Sequence, residues 1–448
     1  MLERVHPVRP LRASQSGKLI GTVRVPGDKS ISHRSIMLGS LAVGRTTISG
    51  LLEGEDVLAT AAAFRAMGAK IEKHEDGTWT VDGVGLGGLA EPDDVLNMGN
   101  SGTSARLILG ILAGHPITCF LTGDGSLRKR PMGRVIDPLG RMGATFTSRD
   151  GGRLPLAVTG AEEVMPIDYE LPMASAQVKS AILLAGLNAR GQTTVIENKP
   201  TRDHTERMLT HFGGKITVEP LDNGGNRITV VGQPELTAAD LVVPADPSSA
   251  AFPAVAAALV PGSEVTLPAV GMNETRTGLF ATLQEMGADV TFANEAIEGG
   301  EPIADIIVKG GKLKGIEVPA ERAPSMIDEY PVLAVAAAFA EGKTVMTGIG
   351  ELRVKESDRL EAVASGLRAN GITVETGDDW MIVHGTGGKI PGGGTVVTHL
   401  DHRIAMSFLV MGLVAETPVT VDDGEPIETS FPGFVELING LGGKIAAT

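Results

Sequence analysis

The chain has 448 residues, too many for one ordinary hydrophobic core, and we therefore expect two or three domains. Hydrophobic residues make up 42% of it and charged residues 21%, a balance typical of globular proteins and not of disordered ones. The formal net charge of −15 argues against a general binder of nucleic acids or membrane surfaces, so any anion site must be a local basic pocket.

The cysteine count and the N-terminal segment indicate the compartment. The one cysteine, Cys119, excludes an intramolecular disulfide and any site with several cysteine ligands, which fits a reducing environment. Residues 1–21 contain no apolar segment of the kind that forms a secretory signal, and no apolar run approaches the length of a membrane span. We therefore expect a cytoplasmic protein.

A short pattern recurs six times along the chain: a helix-like stretch, a small-residue turn and a β-like run. Each turn contains a glycine that we predict to adopt the left-handed conformation at the end of a helix. In most copies DG, GG or GD follows, which predicts the turn of a β-hairpin. The six turn glycines are Gly68, Gly143, Gly213, Gly287, Gly371 and Gly442.

Six copies of one helix-and-strand unit predict an α/β (α+β) protein with two similar lobes of three copies each. The copies are too long for a solenoid, whose repeats have about 20–50 residues. Residues 234–262 lie midway, and the sequence LVVPADPSS within them has the proline-bounded character of a crossover. We place the start of the second lobe near Leu241.

Residues 26–35 read PGDKSISHRS, which puts Lys29, Arg34 and three serines behind a proline-glycine turn. Hydroxyl groups and the N–H groups at a helix N-terminus bind anions, and arginine adds bidentate recognition of carboxylate and phosphate. Read alone, the pattern is as compatible with a solvated helix start as with an anion site.

Five further stretches combine basic or hydroxyl residues with a glycine, a proline or a helix start. Read alone, they could equally be a plain turn into a helix, a basic surface loop or a close-packed helix. The stretches are GNSGTSAR (99–106), LRKRPMGR (127–134), MASAQVKSA (173–181), SMIDEYP with VKESDR (325–331 and 354–359), and LDHRIAM (400–406).

Several acidic residues and histidines in these stretches also have structural alternatives. Asp328 precedes an Ala-rich helix, where a carboxylate stabilises the helix dipole. Glu356 and Arg359 have the i, i+3 spacing of a helical ion pair. His399 and His402 are spaced like part of a metal site, but no adequate third ligand is evident, which favours structural roles.

Some known nucleotide and nucleophile loops are excluded. Lys29 lacks the earlier glycine of a Walker A loop, and no GxGxxG follows a first strand. The stretch GNSGTSAR contains no nucleophile elbow, and Cys119 lies in the apolar run ITCFL, where we expect a buried, unreactive thiol.

Taken together, the motifs resemble the 5-enolpyruvylshikimate-3-phosphate synthase family. PGDKSISHRS, GNSGTSAR, KRPMGR, SAQVKSA, TRDHTE, DEYP, KESDR and DHRIAM occur in the family's order, from about residue 17 to the end. LLEGEDV, SLRKRPMGR and the run from SMIDEYP look like the bacterial class II branch. The resemblance implies the enolpyruvyl transferase fold, an inside-out α/β barrel of two lobes, each with three βαβαββ units and its helices inside.

The resemblance also implies the domain boundaries. Residues 22–240 would form an N-terminal lobe on the shikimate 3-phosphate side. Residues 1–21 and 241–448 would form a C-terminal lobe on the phosphoenolpyruvate side, with the active site in the cleft between the lobes.

The reaction implied is transfer of the enolpyruvyl group of phosphoenolpyruvate to the 5-hydroxyl of shikimate 3-phosphate, with release of phosphate. In the family it proceeds by addition and elimination and requires neither a metal nor another cofactor. The two small-molecule substrates would be the partners of a monomer that binds neither nucleic acid nor membrane. Cations would balance the charge of both substrates, and an acid and a base would move the protons.

The resemblance assigns site residues by motif. The residues implied for shikimate 3-phosphate are Lys29, Ser30, Arg34, Ser175, Ala176, Gln177, Arg202, Asp328 and Lys355. Those implied for phosphoenolpyruvate are Lys29, Asn100, Gly102, Arg130, Gln177, Arg359 and Arg403. The implied catalytic residues are Asp328 as the base facing the shikimate hydroxyl, Glu356 as the group exchanging protons with the phosphoenolpyruvate carbon, and Lys29 and Lys355 as supporting cations.

Two positions depart from parts of the family. Glyphosate-insensitive class II members carry alanine where this chain has Gly102, so we expect a glyphosate-sensitive or only partly tolerant enzyme. Class I members carry lysine where this chain has Thr429, so the phosphate of phosphoenolpyruvate would meet one cation fewer.

Two alternative functions remain at this stage. An enolpyruvyl transferase acting on UDP-N-acetylglucosamine shares the chemistry but uses a loop cysteine, whereas Cys119 lies in a strand-like run. A non-catalytic anion-binding protein would lack the acid and base, yet Asp328 and Glu356 are both present.

Overall fold

A computed structural model describes residues 8–448, so the part of the expected lobe assignment that concerned residues 1–7 lies outside it. Within the described residues none of the helices combines the length and apolar character needed to cross a membrane. The α-helices of residues 8–448 are α1 (Lys29–Leu41), α2 (Glu55–Ala66), α3 (Gly102–Ala113), α4 (Gly133–Arg141), α5 (Ala176–Gly186), α6 (His204–His211), α7 (Pro247–Leu259), α8 (Gly278–Glu285), α9 (Tyr330–Phe339), α10 (Arg359–Ala369), α11 (His402–Gly412) and α12 (Phe434–Gly440).

Short strands alternate with these helices. In chain order the strands are β1 (Leu11–Ala13), β2 (Ile20–Thr22), β3 (Val43–Ser49), β4 (Lys70–Lys73), β5 (Trp79–Val84), β6 (Leu96–Asn97), β7 (Thr118–Thr122), β8 (Thr145–Arg149), β9 (Arg153–Thr159), β10 (Asp168–Glu170), β11 (Gln192–Glu197), β12 (Ile216–Pro220), β13 (Asn226–Val231), β14 (Leu241–Val242), β15 (Glu264–Gly271), β16 (Asp289–Glu298), β17 (Glu301–Lys309), β18 (Glu317–Val318), β19 (Glu341–Thr347), β20 (Thr373–Thr376), β21 (Trp380–Thr386), β22 (Thr395–Val396), β23 (Val419–Val421) and β24 (Ile445–Ala447).

The described strands form six four-stranded sheets with one repeated design. In each, the first two strands are parallel and the second and third are antiparallel. The six-copy prediction and the α/β fold class are therefore confirmed. The sheet orders are β14-β3-β5-β4, β6-β7-β9-β8, β10-β11-β13-β12, β2-β15-β17-β16, β18-β19-β21-β20 and β22-β23-β1-β24.

The predicted turn glycines all have positive φ, from 82° at Gly371 to 110° at Gly442, in the left-handed region that favours glycine. In five copies the strand after this glycine is followed directly by its sheet neighbour, as predicted. The sixth copy differs because its last strand, β24, pairs with β1 from the other end of the chain, Ala447 lying opposite Leu11.

The chain divides into two compact units. The terminal unit comprises the described residues up to Pro26, then Ala245–Ala296 and Pro302–Thr448. The middle unit comprises Gly27–Pro244 with Ile297–Glu301.

These boundaries differ by five and four residues from the expected ones at 21/22 and 240/241, for reasons of strand pairing. Strand β2 lies beside β15, so the terminal unit extends beyond residue 21. Strand β14, which begins at the expected start of the second lobe, instead pairs with Ile48 and Ser49 of the middle unit.

In both units the first helix of each copy is almost wholly buried. These helices are α1, α3 and α5 in the middle unit and α7, α9 and α11 in the terminal unit. Ala, Leu, Val and Ile make up more than half of α3, α5, α7 and α9, as close packing in an aliphatic core requires. Several sequence motifs stand at the N-termini of these buried helices, which therefore fix the position of the candidate site residues.

Candidate active site

Lys29 begins α1 in the middle unit. Asp28 caps the helix by accepting a hydrogen bond from the backbone N–H of Ile31 at 2.9 Å. The ammonium group of Lys29 forms an ion pair with Asp56, a buried carboxylate in the first turn of α2. The ion pair fixes the position of the Lys29 side chain. The side chain is 30% exposed, so solvent still reaches part of it.

Arg34 lies one turn further along α1 and is buried. Its guanidinium donates to Oγ1 of Thr205 at 2.7 Å, to Oγ of Ser180 at 3.0 Å and to the carbonyl of Ser30 at 3.0 Å. Burial lowers the pKa of Arg34 to about 10, although Glu206 and Asp28 oppose the shift. The group therefore stays positively charged at neutral pH.

Asn100 and Gly102 lie where β6 leads into α3. Ser101 caps α3 by accepting from the N–H of Ser104 at 3.1 Å. A methyl group added to Gly102 would lie 3.0 Å from Nη1 of Arg106 and 3.1 Å from Nη1 of Arg130. Two guanidinium groups therefore border the buried Gly102, which gives this turn cationic surroundings.

Gln177 connects this region with α5. It accepts from Nη1 of Arg106 at 2.7 Å and donates to Oγ1 of Thr103 at 3.1 Å. Ser175 caps α5, and its partly buried neighbours Ala176 and Gln177 form the first turn of that helix. The structure therefore brings the predicted residues of the SAQVKSA and GNSGTSAR motifs together.

Arg202 stands in the segment between β11 and α6, which a buried lysine secures. Lys179 forms ion pairs with Glu206 at 2.6 Å and Glu197 at 3.2 Å. Glu197 in turn accepts hydrogen bonds from the N–H and hydroxyl of Thr201, the residue before Arg202. The loop that carries Arg202 is thus fixed by charge-assisted hydrogen bonds.

Arg359 is the centre of the candidate site in the terminal unit. The first residue of α10, it is 1% exposed. Asp401 accepts from its Nε at 2.8 Å and from its Nη2 at 3.3 Å, Asp328 lies 3.1 Å from its Nη1, and Glu356 lies 2.6 Å from its Nη2. The guanidinium therefore contacts both predicted proton-transfer residues, Asp328 and Glu356. Glu356 lies before the start of α10, so its contact with Arg359 is not an ion pair within a helix.

Lys355 adds a second cation beside Asp328. Its ammonium group lies 3.6 Å from Oδ1 of Asp328 and 2.7 Å from Oε1 of Glu351. The Lys355 and Asp328 side chains are 19% and 15% exposed, so both reach the surface of the unit.

Arg403, in the first turn of α11, contacts Asp328 and Glu329 through one nitrogen of its guanidinium group. Its Nη1 donates to the carbonyl of Asp328 at 3.2 Å and lies 3.4 Å from Oε1 of Glu329. The predicted residues Asp328, Lys355, Glu356, Arg359 and Arg403 therefore form one cluster.

Charge and burial shift several pKa values in this cluster. Burial by itself lowers the pKa of Arg359, but Glu356, Asp401 and Asp328 together raise it above the ordinary value. Burial opposes ionisation of Asp401, yet Arg359 holds the pKa of that carboxyl below its usual range. Burial raises the pKa of Glu329 in spite of Arg403. Arg359 and Asp401 are consequently ionised together at neutral pH.

Residue-by-residue reasoning from the sequence missed the partners of the predicted groups. Asp56, Arg106, Glu329 and Asp401 contact Lys29, Gln177, Arg403 and Arg359 respectively. All four lie within or beside quoted motifs, and a buried charge next to a candidate cation is the signal that could have identified them. Their long-range contacts could not be read from local spacing.

The residues with structural alternatives are also located. Cys119 is buried in β7, and burial raises its pKa to about 12, as expected for an unreactive thiol. His402 is buried, whereas His399 precedes α11 with φ of 53°. Among residues 8–448, no three His, Cys, Asp or Glu side chains are grouped so that they could hold a metal ion.

Comparison with known proteins adds independent information. Residues 13–438 match the family model for EPSP synthase (3-phosphoshikimate 1-carboxyvinyltransferase). A 3-phosphoshikimate 1-carboxyvinyltransferase of Paramagnetospirillum magneticum is 65% identical over 98% of both chains, and one of Parvibaculum lavamentivorans is 63% identical over 98% of this chain and 97% of its own. The solved structure of EPSP synthase from Acinetobacter baumannii is 49% identical, with a TM-score of 0.89 over 98% of this chain and 100% of its own.

Proposed function

The chain belongs to the EPSP synthase family, and on that premise we propose that it transfers the enolpyruvyl group of phosphoenolpyruvate to the 5-hydroxyl of shikimate 3-phosphate, with release of phosphate. The observation that carries the proposal is the contact of Asp328 and Glu356 with the same guanidinium, that of Arg359. A base, an acid and a cation are thereby in place for proton transfer to and from two anionic substrates.

Shikimate 3-phosphate would bind mainly to the middle unit. Ser175, Ala176 and Gln177 offer a hydroxyl and N–H groups at the start of α5, where the helix dipole favours anions. Arg202, on its secured loop, would supply the positive charge. The other residues that we propose for this substrate are Lys29, Ser30, Arg34, Asp328 and Lys355.

The residues that we propose for phosphoenolpyruvate include four cations, Lys29, Arg130, Arg359 and Arg403. Lys29 and Arg130 with Asn100, Gly102 and Gln177 belong to the middle unit, and Arg359 and Arg403 belong to the terminal unit. Arginine suits the carboxylate and phosphate of this substrate because its planar group binds either in bidentate fashion. Thr429, whose hydroxyl donates to the carbonyl of Pro426, supplies no charge there.

The addition step requires one proton to be given and one to be taken. Glu356 would protonate the methylene carbon of phosphoenolpyruvate while Asp328 accepts the proton of the attacking 5-hydroxyl, whose oxygen bonds to the neighbouring carbon. In the elimination step Glu356 takes a proton back from the new methyl group, the bond between the carbon and the phosphate oxygen breaks, phosphate departs with the proton that Asp328 accepted, and the double bond re-forms. Lys29 and Lys355 would stabilise the charge that develops.

Arg359 would couple substrate binding to the acid. In the structure Glu356 is paired with Arg359, which favours the ionised form of a carboxyl. A substrate anion that binds Arg359 would compete with Glu356 for the same N–H groups.

Glyphosate sensitivity is a second property that we propose. A methyl group at position 102 would meet two guanidinium groups at 3.0 and 3.1 Å, so glycine leaves space that alanine would fill. We expect glyphosate to inhibit at millimolar or lower concentration when phosphoenolpyruvate is low, and full activity under that condition would refute the proposal.

The test of the transferase is phosphate release from the purified protein with both substrates, each substrate alone, and UDP-N-acetylglucosamine in place of shikimate 3-phosphate. Release that needs both proposed substrates supports the function. Release only with UDP-N-acetylglucosamine, or from none of the mixtures, overturns it. We further propose a cytoplasmic monomer, which fractionation of cells and light scattering after size exclusion would test.

A further inference from the structure

His33 lies in the PGDKSISHRS motif but has no part in the chemistry proposed above. It is fully buried on α1, and its ring is surrounded by hydroxyl groups. Nδ1 lies 2.8 Å from Oγ1 of Thr60 and 3.1 Å from Oγ of Ser104, and Nε2 lies 3.5 Å from Oγ of Ser101. We call these four residues the His33 network.

The network joins three helices of the middle unit. His33 belongs to α1, Thr60 to α2, and Ser101 and Ser104 to the cap and first turn of α3. Thr60 and Ser104 also contact each other directly, with 2.5 Å between their oxygens. Movement of any one of these three helices relative to the other two therefore breaks a buried hydrogen bond.

Each end of the network adjoins a residue proposed to bind phosphoenolpyruvate. Thr60 donates to the backbone carbonyl of Asp56 at 3.2 Å, and the Asp56 carboxylate pairs with Lys29. At the other end, Ser101 is the residue between Asn100 and Gly102. His33 thus connects the partner of Lys29 with the turn at Gly102.

Burial keeps the imidazole ring of His33 neutral. Burial, together with the charges of Lys29 and Arg34, lowers the pKa of His33 well below its ordinary value, so the ring is neutral. Thr60 donates to the carbonyl of Asp56 at 3.2 Å and Ser101 donates to Oγ of Ser104 at 2.9 Å, so the ring meets its hydroxyl partners with one nitrogen donating and the other accepting in either tautomer. A neutral imidazole, with one donor and one acceptor on opposite sides, satisfies both ends.

We propose that His33 is a positioning residue that fixes α2 and the Asn100–Gly102 turn relative to each other and thereby sets the affinity for phosphoenolpyruvate. The inference rests on the proposed function, since it concerns one of the two proposed substrates. Lys29 is proposed for both substrates, but the Asn100–Gly102 turn is proposed for phosphoenolpyruvate alone, and the residues at the start of α5 and Arg202 lie outside the network, so shikimate 3-phosphate should be affected less.

The matched control is His115, another buried histidine of the middle unit. Its Nδ1 lies 2.8 Å from the carbonyl of Ile111, and its Nε2 accepts from the N–H of Gly87 at 3.2 Å. It contacts none of the proposed site residues. His33→Leu and His115→Leu both remove two hydrogen bonds from a buried ring, so they separate positioning from a general loss of stability.

We expect His33→Leu to raise KM for phosphoenolpyruvate about tenfold, which is the loss expected for one or two buried hydrogen bonds. KM for shikimate 3-phosphate should change by less than about twofold. His33→Gln, which retains a donor and an acceptor, should recover part of the loss. His115→Leu should leave both constants unchanged. If His33→Leu does not fold, Thr60→Val, which removes one hydroxyl, should raise the same KM in the same direction.

The proposal would be overturned if His33→Leu raised KM for phosphoenolpyruvate and KM for shikimate 3-phosphate equally. It would also be overturned if His33→Leu raised neither constant more than His115→Leu does. Amide hydrogen exchange at Asn100–Gly102 provides a readout that does not depend on activity. Exchange there should become faster in His33→Leu and stay unchanged in His115→Leu, and unchanged exchange in both would also overturn the inference. If the unmodified protein releases no phosphate, the proposed function fails while the exchange measurement still decides whether His33 positions the turn.

Discussion

Asp401 binds Arg359 along one edge of the guanidinium, with Nε donating to Oδ2 at 2.8 Å and Nη2 donating to Oδ1 at 3.3 Å. Both side chains are at most 1% exposed. Asp401 is itself fixed, since it caps α11 and accepts from the hydroxyl of Ser357 at 3.0 Å. This pairing orients Arg359 so that the rest of its N–H groups face Asp328 and Glu356.

Asp401→Asn should therefore destabilise the protein. The change leaves Arg359 buried with less compensating negative charge. Breaking a buried ion pair in this way lowers the free energy of unfolding by about 3 kcal/mol. Urea unfolding at pH 7 measures it. Glu285→Gln, which breaks the pair between the half-exposed Glu285 and Arg322, should cost at most about 1 kcal/mol. Equal losses in the two variants would contradict the importance assigned to Asp401.

Asp328→Asn and Glu356→Gln should separate catalysis from binding. Each keeps the size of the side chain but removes a proton-transfer group, so kcat should fall by about 10²- to 10⁴-fold. Titration calorimetry should find shikimate 3-phosphate binding in both variants. Asp358→Asn is the control, because Asp358 only caps α10 and pairs with Arg353. A kcat of Asp328→Asn or Glu356→Gln within twofold of the control, roughly the span of experimental error, would refute the assigned roles.

Gly102→Ala should discriminate between phosphoenolpyruvate and glyphosate. The added methyl would press on the Arg106 and Arg130 guanidinium groups, and one methyl in a close-fitting pocket changes affinity by about tenfold or more. We expect the inhibition constant of glyphosate to rise by more than KM for phosphoenolpyruvate does. Gly140→Ala, in a helix and with no atom within 4 Å of the added methyl, should change neither constant. Parallel increases in the two constants for Gly102→Ala would contradict this prediction.

Acid should weaken the fold through His402. Burial lowers its pKa from 6.5 to about 4, so between these values the unfolded chain binds a proton that the folded protein excludes. The free energy of unfolding should therefore fall as the pH drops through this window, by about 3 kcal/mol at most for this group. Urea unfolding at pH 7 and pH 5 should show a smaller decrease for His402→Gln than for the unmodified protein. The exposed His384→Gln should leave the decrease unchanged, and an identical decrease in all three would exclude His402 as the cause.

Local pattern was sufficient for the repeated design of the fold. The left-handed glycines at positions such as 68 and 371 have a local steric cause, and the hairpins follow directly from them. The boundaries between the units differ from the expected ones because β2 and β14 each pair with a strand far away in the chain, and this pairing decides to which unit they belong. Two- and three-residue strands carry too little pattern to reveal such pairing.

The candidate site was recognisable as a set of motifs but not as a set of contacts. The motifs identified Arg359, yet its pairing with Asp401 spans 42 residues of chain. Lys29 and Asp56 likewise belong to separate helices. Which buried carboxylate neutralises which cation depends on helix packing, and no spacing rule along one helix or strand supplies it.

The pairing of β1 has a consequence for biosynthesis of the chain. Leu11 lies opposite Val421 and Ala447, so the N-terminal strand must wait for almost the whole protein to leave the ribosome before its neighbours exist. The three sheets of the middle unit, in contrast, take all their strands from between Val43 and Val242. We expect the middle unit to fold during translation and the terminal unit only at its end. A ribosome that stalls before Ile445 would leave β1 with an unpaired edge, the kind of surface on which nascent chains associate with one another.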